Sequence, residues 1–216
     1  MKGSKRGNTK VQPGQIILLN GTSSAGKSTL AKQLQEILPQ PYLHTGIDHF
    51  LAATPWSRLF VYSDSTSQTE AEGWFLPFRD GVLVSAPQLG PVAYQWLDGM
   101  YASFATLAAK GVNLIVDDVI YDPQVLRSAV THLADLPVLF VGLHCPVAEA
   151  MRREHERGDR APGGAAIFHE LVHRHGCYDL EIDTAQASPT ECSEQIRLAL
   201  TQRHPQTALR HLRQRF

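Results

Sequence analysis

Residues 21–28, Gly-Thr-Ser-Ser-Ala-Gly-Lys-Ser, satisfy GxxxxGK[ST] at every fixed position. Glycines at this spacing let successive backbone N–H groups turn inward and cradle an anion. The positive end of a following helix would strengthen that cradle. Lys27 is placed to reach the β- and γ-phosphates of a nucleotide, and Ser28 to offer an oxygen to Mg²⁺. The candidate phosphate-binding run is therefore Gly21, Thr22, Ser23, Ser24, Ala25, Gly26, Lys27, Ser28 and Thr29, with Thr29 chiefly a helix residue.

Three further groups bear on what happens to that phosphate. In "LIVDD", Asp117 and Asp118 follow an apolar run, where an acid that holds metal-bound water belongs. Spacing alone leaves both open, with Asp117 favoured. Asp48 follows a second apolar run in "HTGID" and is a candidate base that orients an acceptor hydroxyl. A weak base suffices there, because phosphoryl transfer has a loose transition state. In "RREHERGDRAPGG", Arg153, Arg157 and Arg160 stand at i, i+4 and i+7, on one face if the segment is helical. With glycines and a proline following, they read as a lid that closes cations over a nucleotide. The guanine-reading [NT]KxD is absent, which removes the main support for a GTP switch. His44, His49, His173 and His175 have neither HExxH nor zinc-site spacing and read as ordinary hydrogen-bonded histidines. Trp56, Trp74 and Trp96 read as packing residues, of which one or two could line an apolar substrate pocket.

The elements that must position these groups alternate. Strands are expected at 15–20, 41–48, 112–119, 137–145 and 178–183. Helices are expected at 27–38, 92–111, 123–134, 147–159, 165–176 and 189–203. The first helix would bury Leu30, Leu34, Ile37 and Leu38, and Ser188 or Thr190 would cap the last. Such alternation means an α/β fold with a parallel five-stranded central sheet and helices on both faces. Ligands then bind at the carboxyl ends of the strands, where Lys27, Asp48 and Asp117 all fall. With the GxxxxGK[ST] run between the first strand and the first helix, the expected fold is a three-layer, nucleotide-kinase-like P-loop NTPase.

The expected organisation is a basic tail (1–14), one domain (15–203) and a basic C-terminal tail (204–216). Within the domain, 54–104 is the substrate-binding insertion and 147–170 the lid. Residues 54–90 show no clean period and are too long for a structureless loop. The chain has 216 residues, is 43% apolar and 19% charged, and carries a net charge of −1. It has no general electrostatic pull toward nucleic acid or membrane. Three cysteines without CxxC point to a reducing, cytoplasmic setting, and no apolar run approaches a membrane span.

Taken in order, "IILLNGTSSAGKSTLAKQLQEILPQPYLHTGID", "GVNLIVDDV", "FVGLHCPVAEAMRREHERGDRAPGGA" and "VHRHGCYDLEIDTAQASPTECSEQI" resemble the chloramphenicol phosphotransferase family of P-loop kinases. The resemblance implies ATP- and Mg²⁺-dependent transfer of a γ-phosphoryl group to a hydroxyl of a small molecule, with antibiotic modification among the roles implied. It implies that Asp48 is the catalytic base, that Arg157 and Arg160 belong to the lid, and that "DTAQASPTE" lies at the adenine edge. Residues 54–90 match loosely, so the acceptor is expected to differ. Two other functions fit the same motif. One is a zeta-toxin-like kinase of a nucleotide-sugar or nucleic-acid hydroxyl, which the near-neutral core disfavours. The other is an ATP-binding regulator without transfer.

Overall fold

The computed structural model describes residues 11–63, 71–159, 161–202 and 205–216. In chain order the elements are β1 (Ile16–Gly21), α1 (Lys27–Ile37), β2 (Tyr42–Gly46), α2 (Ile47–Ala52), α3 (Trp56–Leu59) and β3 (Phe60–Ser63). There follow β4 (Trp74–Arg79), β5 (Val82–Leu83), β6 (Gln88–Leu89), α4 (Pro91–Ala109), β7 (Asn113–Asp118), α5 (Pro123–Leu133) and β8 (Val138–His144). The chain closes with α6 (Val147–Arg157), α7 (Gly164–Leu171), β9 (Leu180–Asp183), α8 (Pro189–Thr201) and α9 (Ala208–Arg213).

The main sheet is parallel, in the order β2-β7-β1-β8-β9. Every residue of β1 is buried, as a strand covered on both faces requires. One face carries α1 and α8, where Ile17, Leu19, Leu30, Leu34, Leu139 and Ile196 form one core cluster. The other carries α4, α5 and α9, packed on Ile16, Leu18, Leu114, Val116 and Phe140. Helix α8 starts at Ser188, whose side chain accepts from Glu191 N while Glu191 reaches back, a reciprocal cap. Ile37, expected on the buried face of α1, is exposed; Leu30, Ala31 and Leu34 carry that face.

The five strands and six longer helices lie where the periodicity places them, and three regions differ. Strands β3, β4, β5 and β6 form a second, small sheet in which β4 pairs β3, β5 and β6. Asp80 and Gly81 both have positive φ (51° and 77°) and close a tight two-residue hairpin between β4 and β5. Helix α4 runs unbroken to Ala109, so the expected insertion boundary at 104 falls inside a core helix. The C-terminal segment is not a solvated tail over its described residues: α9 buries Ala208, Leu209 and Leu212 against the core. Its caps come from Asp179, which accepts from Thr207 N (2.7 Å) and Ala208 N (2.9 Å). The expected basic tail lies outside the described residues over 1–10. Among the described residues no helix is long and apolar enough to cross a membrane.

Candidate active site

The P-loop leaves β1 at Gly21. A side chain there would meet the Leu143 carbonyl oxygen of β8 at 2.7 Å, so only glycine fits. Ser24 (φ 59°) and Gly26 (φ 90°) hold left-handed conformations, which curl the loop into a nest before α1 begins. Thr22 Oγ1 donates to Ala165 O (2.8 Å), tying the loop to the start of α7. Lys27 is buried; its Nζ donates to Gly21 O (3.0 Å) and Thr22 O (2.8 Å) across that nest. Ser28 Oγ donates to Asp117 Oδ2 (2.5 Å).

The alternation of β7 separates its two aspartates. Asp117 points to Ser28 and to His44 of β2, whose Nε2 stands 3.7 Å from Asp117 Oδ2. That is too long for a hydrogen bond, and His44 Nε2 is buried without a hydrogen-bond partner among the described residues. Burial pushes the Asp117 carboxyl up, but His44, Lys27 and Ser28 together outweigh it and hold the group below its usual value. Asp118 points to the opposite face. It is buried, accepts from Tyr101 Oη (2.5 Å) and Val119 N (2.7 Å), and burial pushes its pKa up to about 6. Only Asp117 therefore sits with Ser28; Asp118 lines a different cavity.

Asp48 was expected at a strand tip but lies in the first turn of α2, two residues after Gly46. Gly46 pairs with Asp117 in register, so β2 delivers Asp48 to the edge where the P-loop opens. A cleft of about 310 Å³ runs along that edge, lined by Lys27, Ser28, Asp48, Asp117, Arg153 and Arg157 among others. Thr184, Ala187 and Pro189, which follow β9, also line it.

The arginines part company at the end of α6. The helix stops at Arg157 because Gly158 takes a left-handed cap conformation (φ 62°), so the helical face that carries Arg153 and Arg157 ends there. Arg160 itself lies outside the described residues. Arg153 donates to Glu149 Oε1 (2.7 Å) and Thr184 O (2.9 Å), and Arg157 to Asp159 Oδ2 (2.8 Å). Glu154 accepts from Gly163 N (2.9 Å) and Ala165 N (2.8 Å) and so caps α7. Asn20 escaped notice. It is fully buried at the end of β1, accepts from Ile120 N (2.8 Å) and donates to Tyr178 Oη (2.8 Å). A polar residue closing an apolar strand was the available signal.

Next to the phosphate cleft lies a larger cavity of about 770 Å³ that shares Ser23, Ile47, Asp48 and Val119 with it. Trp56 and Trp74 line it, stacked on either side of Phe60 at centroid distances of 3.7 and 4.9 Å. Trp96 packs beside Trp74. Leu83 N of the small sheet donates to Pro162 O (2.9 Å), and Leu83, Asp159, Ala161 and Gly164 all line the cavity.

A P-loop, a strand-end acid beside its serine, and a second acid between two adjoining cavities are what a kinase needs. The chloramphenicol phosphotransferase-like sequence pattern matches residues 14–201. The chain belongs to the chloramphenicol phosphotransferase-like family. A protein of Mycobacterium tuberculosis (strain ATCC 25618 / H37Rv) named "Putative O-phosphotransferase" is 32% identical over 211 residues, covering 94% of this chain and 89% of that relative. Among solved structures, a sugar kinase from Janibacter sp. HTCC2649 superposes with a TM-score of 0.57 at 15% identity, covering 88% of this chain and 95% of that one. The APS kinase CysC of M. tuberculosis, in complex with AMPPNP and APS, gives 0.56 at 14% identity, covering 88% and 99%. These likenesses show the P-loop kinase fold, and within the chloramphenicol phosphotransferase-like family this chain is a kinase.

Proposed function

We propose that the protein is an ATP- and Mg²⁺-dependent O-phosphotransferase whose acceptor is a small hydroxylated molecule held in the aromatic cavity. The observation that carries this reading is the position of Asp48, on the boundary shared by the phosphate cleft and the larger cavity. The nest at Ser24 and Gly26, the buried Lys27 and the Ser28–Asp117 pair fit a nucleotide triphosphate with its metal. When bound, ATP supplies the γ-phosphoryl group and leaves as ADP, while Mg²⁺ offsets charge on the phosphates.

The chain's own residues supply position and electrostatics. Lys27 exchanges its loop carbonyls for phosphate oxygens. Ser28 and Asp117 hold the metal side, Asp117 as a carboxylate because its neighbours keep it ionised. Thr184, Ala187 and Pro189 form the adenine end, with Arg153 alongside. Arg157 offsets charge from the lid, and Arg160 is assigned there by its place in the RGDR segment. Asp48 orients the acceptor hydroxyl and takes its proton as the oxygen bonds to phosphorus. Asp118 belongs to the acceptor side rather than to the metal.

The test is ADP formation across a panel of neutral, cationic and anionic alcohols, nucleoside monophosphates included, with the phosphorylated atom located by phosphorus NMR. Acceptor-stimulated turnover with a phosphoester product is expected. ATP binding without stimulation by any acceptor would support the regulator reading instead.

A further inference from the structure

The larger cavity has a chemical bias that the kinase reading does not require. Its described lining carries five carboxylates, Asp48, Asp118, Asp122, Glu154 and Asp159, and no lysine, arginine or histidine. Almost all the remaining wall is aromatic or aliphatic, and includes the Trp56–Phe60–Trp74 stack.

These carboxylates are not equally committed. Glu154 is occupied by two backbone N–H groups, and Asp159 is paired with Arg157. Asp118 is held by the Tyr101 hydroxyl and Val119 N, both neutral donors. Asp122 caps α5, where Oδ1 accepts from Gln124 N (2.8 Å) and Val125 N (3.1 Å); Oδ2 accepts from Tyr94 Oη at 3.1 Å. Asp118 and Asp122 thus line an apolar cavity whose described wall holds no cation; the cation that acts on Asp118, Lys27, lines the phosphate cleft instead.

A carboxylate or phosphate on the acceptor would meet like charge there, within walls that screen poorly. A protonated amine would be attracted by the two aspartates and by aromatic ring faces. We propose that the acceptor is an amine-bearing alcohol. Its apolar body fills the space against Trp56 and Trp74, its ammonium is read by Asp118 and Asp122, and its hydroxyl reaches Asp48. This rests on the phosphotransferase reading of the same site.

Three matched probes test it: an aryloxypropanolamine, its N-acetyl amide and its N-succinyl half-acid. They share a hydroxyl and an apolar body and carry positive, zero and negative charge. Binding is measured by calorimetry with a non-hydrolysable ATP analogue present, at low and high salt. The amine is expected to bind about tenfold tighter than the amide and about a hundredfold tighter than the half-acid. Salt should shrink that preference. Asp122→Asn should shrink it too while leaving folding intact, because asparagine caps helices as well as aspartate does. Equal or tighter binding of the amide or half-acid, or no heat from any probe, overturns the inference. The kinase reading is judged separately by ADP formation. Turnover of neutral alcohols but not amines sinks the amine assignment alone, whereas no turnover with any alcohol sinks both.

Discussion

Gly46→Ala puts the geometry of the site to a test that involves no chemical group. Gly46 is extended (φ 162°), so alanine costs nothing in backbone conformation. The whole effect is steric: the new Cβ would fall on the Asp117 carbonyl, with Asp117 C at 2.8 Å and N at 2.9 Å. Real Cβ contacts essentially never come under 3.0 Å. Clearing the carbonyl oxygen takes more than about 1 Å of separation between β2 and β7, given a contact distance of roughly 3.5 Å. Asp117 lies on one side of that gap and Asp48, two residues after Gly46, on the other. A misplacement of about 1 Å costs on the order of a hundredfold in rate, so kcat should fall by that factor. The P-loop grows from β1, beyond β7, so ATP affinity should change by less than about threefold, around 0.6 kcal/mol. Overpacking should also cost about 1–3 kcal/mol, lowering Tm by roughly 2–12 °C for a chain of this size. The assay is steady-state ADP formation with a productive acceptor, alongside ATP binding and a thermal melt. A folded variant with kcat within threefold of the parent would refute the claim that the β2–β7 contact sets the distance between the two acids.

Three further changes separate the roles assigned here. Ser28→Ala should raise the Mg²⁺ concentration for half-maximal activity about tenfold, read from a Mg²⁺ titration at fixed ATP; an unchanged requirement would remove Ser28 from the metal site. Asp118→Asn should alter the pH dependence of stability. Asp118 keeps its proton up to about pH 6 when folded and loses it near 3.8 when unfolded, so its contribution to stability falls as pH rises between those values. The loss is about 3 kcal/mol, and the asparagine variant should lack it in chemical melts from pH 4 to 7. His173 and His175, held by burial near pKa 4, act in the opposite sense, so the difference between parent and variant isolates the carboxylate. Leu212→Ala should cost about 2–5 kcal/mol in denaturant melts while leaving kcat unchanged, because Leu212 is buried in α9 far from the catalytic residues in sequence; stability equal to the parent's would show that the helix contributes nothing.

What could be read from sequence followed the strength of the local signal. β1 and β8 are continuous apolar runs bounded by turn residues, and the P-loop's fixed spacing sits between a strand and a helix, so the central sheet and its cleft were legible. The small sheet was not, because β5 and β6 have two residues each and no period can show in two residues. Helix α9 was hidden by its charge: Arg210, His211 and Arg213 surround Leu209 and Leu212, and only that i, i+3 apolar pair betrays a buried face. The side each β7 acid faces follows from strand alternation, but which side holds the P-loop is a matter of sheet order that spacing does not contain. The end of α6 at Arg157 rests on the left-handed Gly158, which counting arginines along the segment does not reveal.

In the proposed function, Asp48 is the residue on which transfer, rather than binding, depends. The most direct measurement is single-turnover transfer of labelled γ-phosphate from ATP to the acceptor by Asp48→Asn, beside its ATP affinity. The expected result is a fall of at least about a hundredfold in the transfer rate, with ATP affinity unchanged within twofold. Transfer at the parent rate would contradict the account.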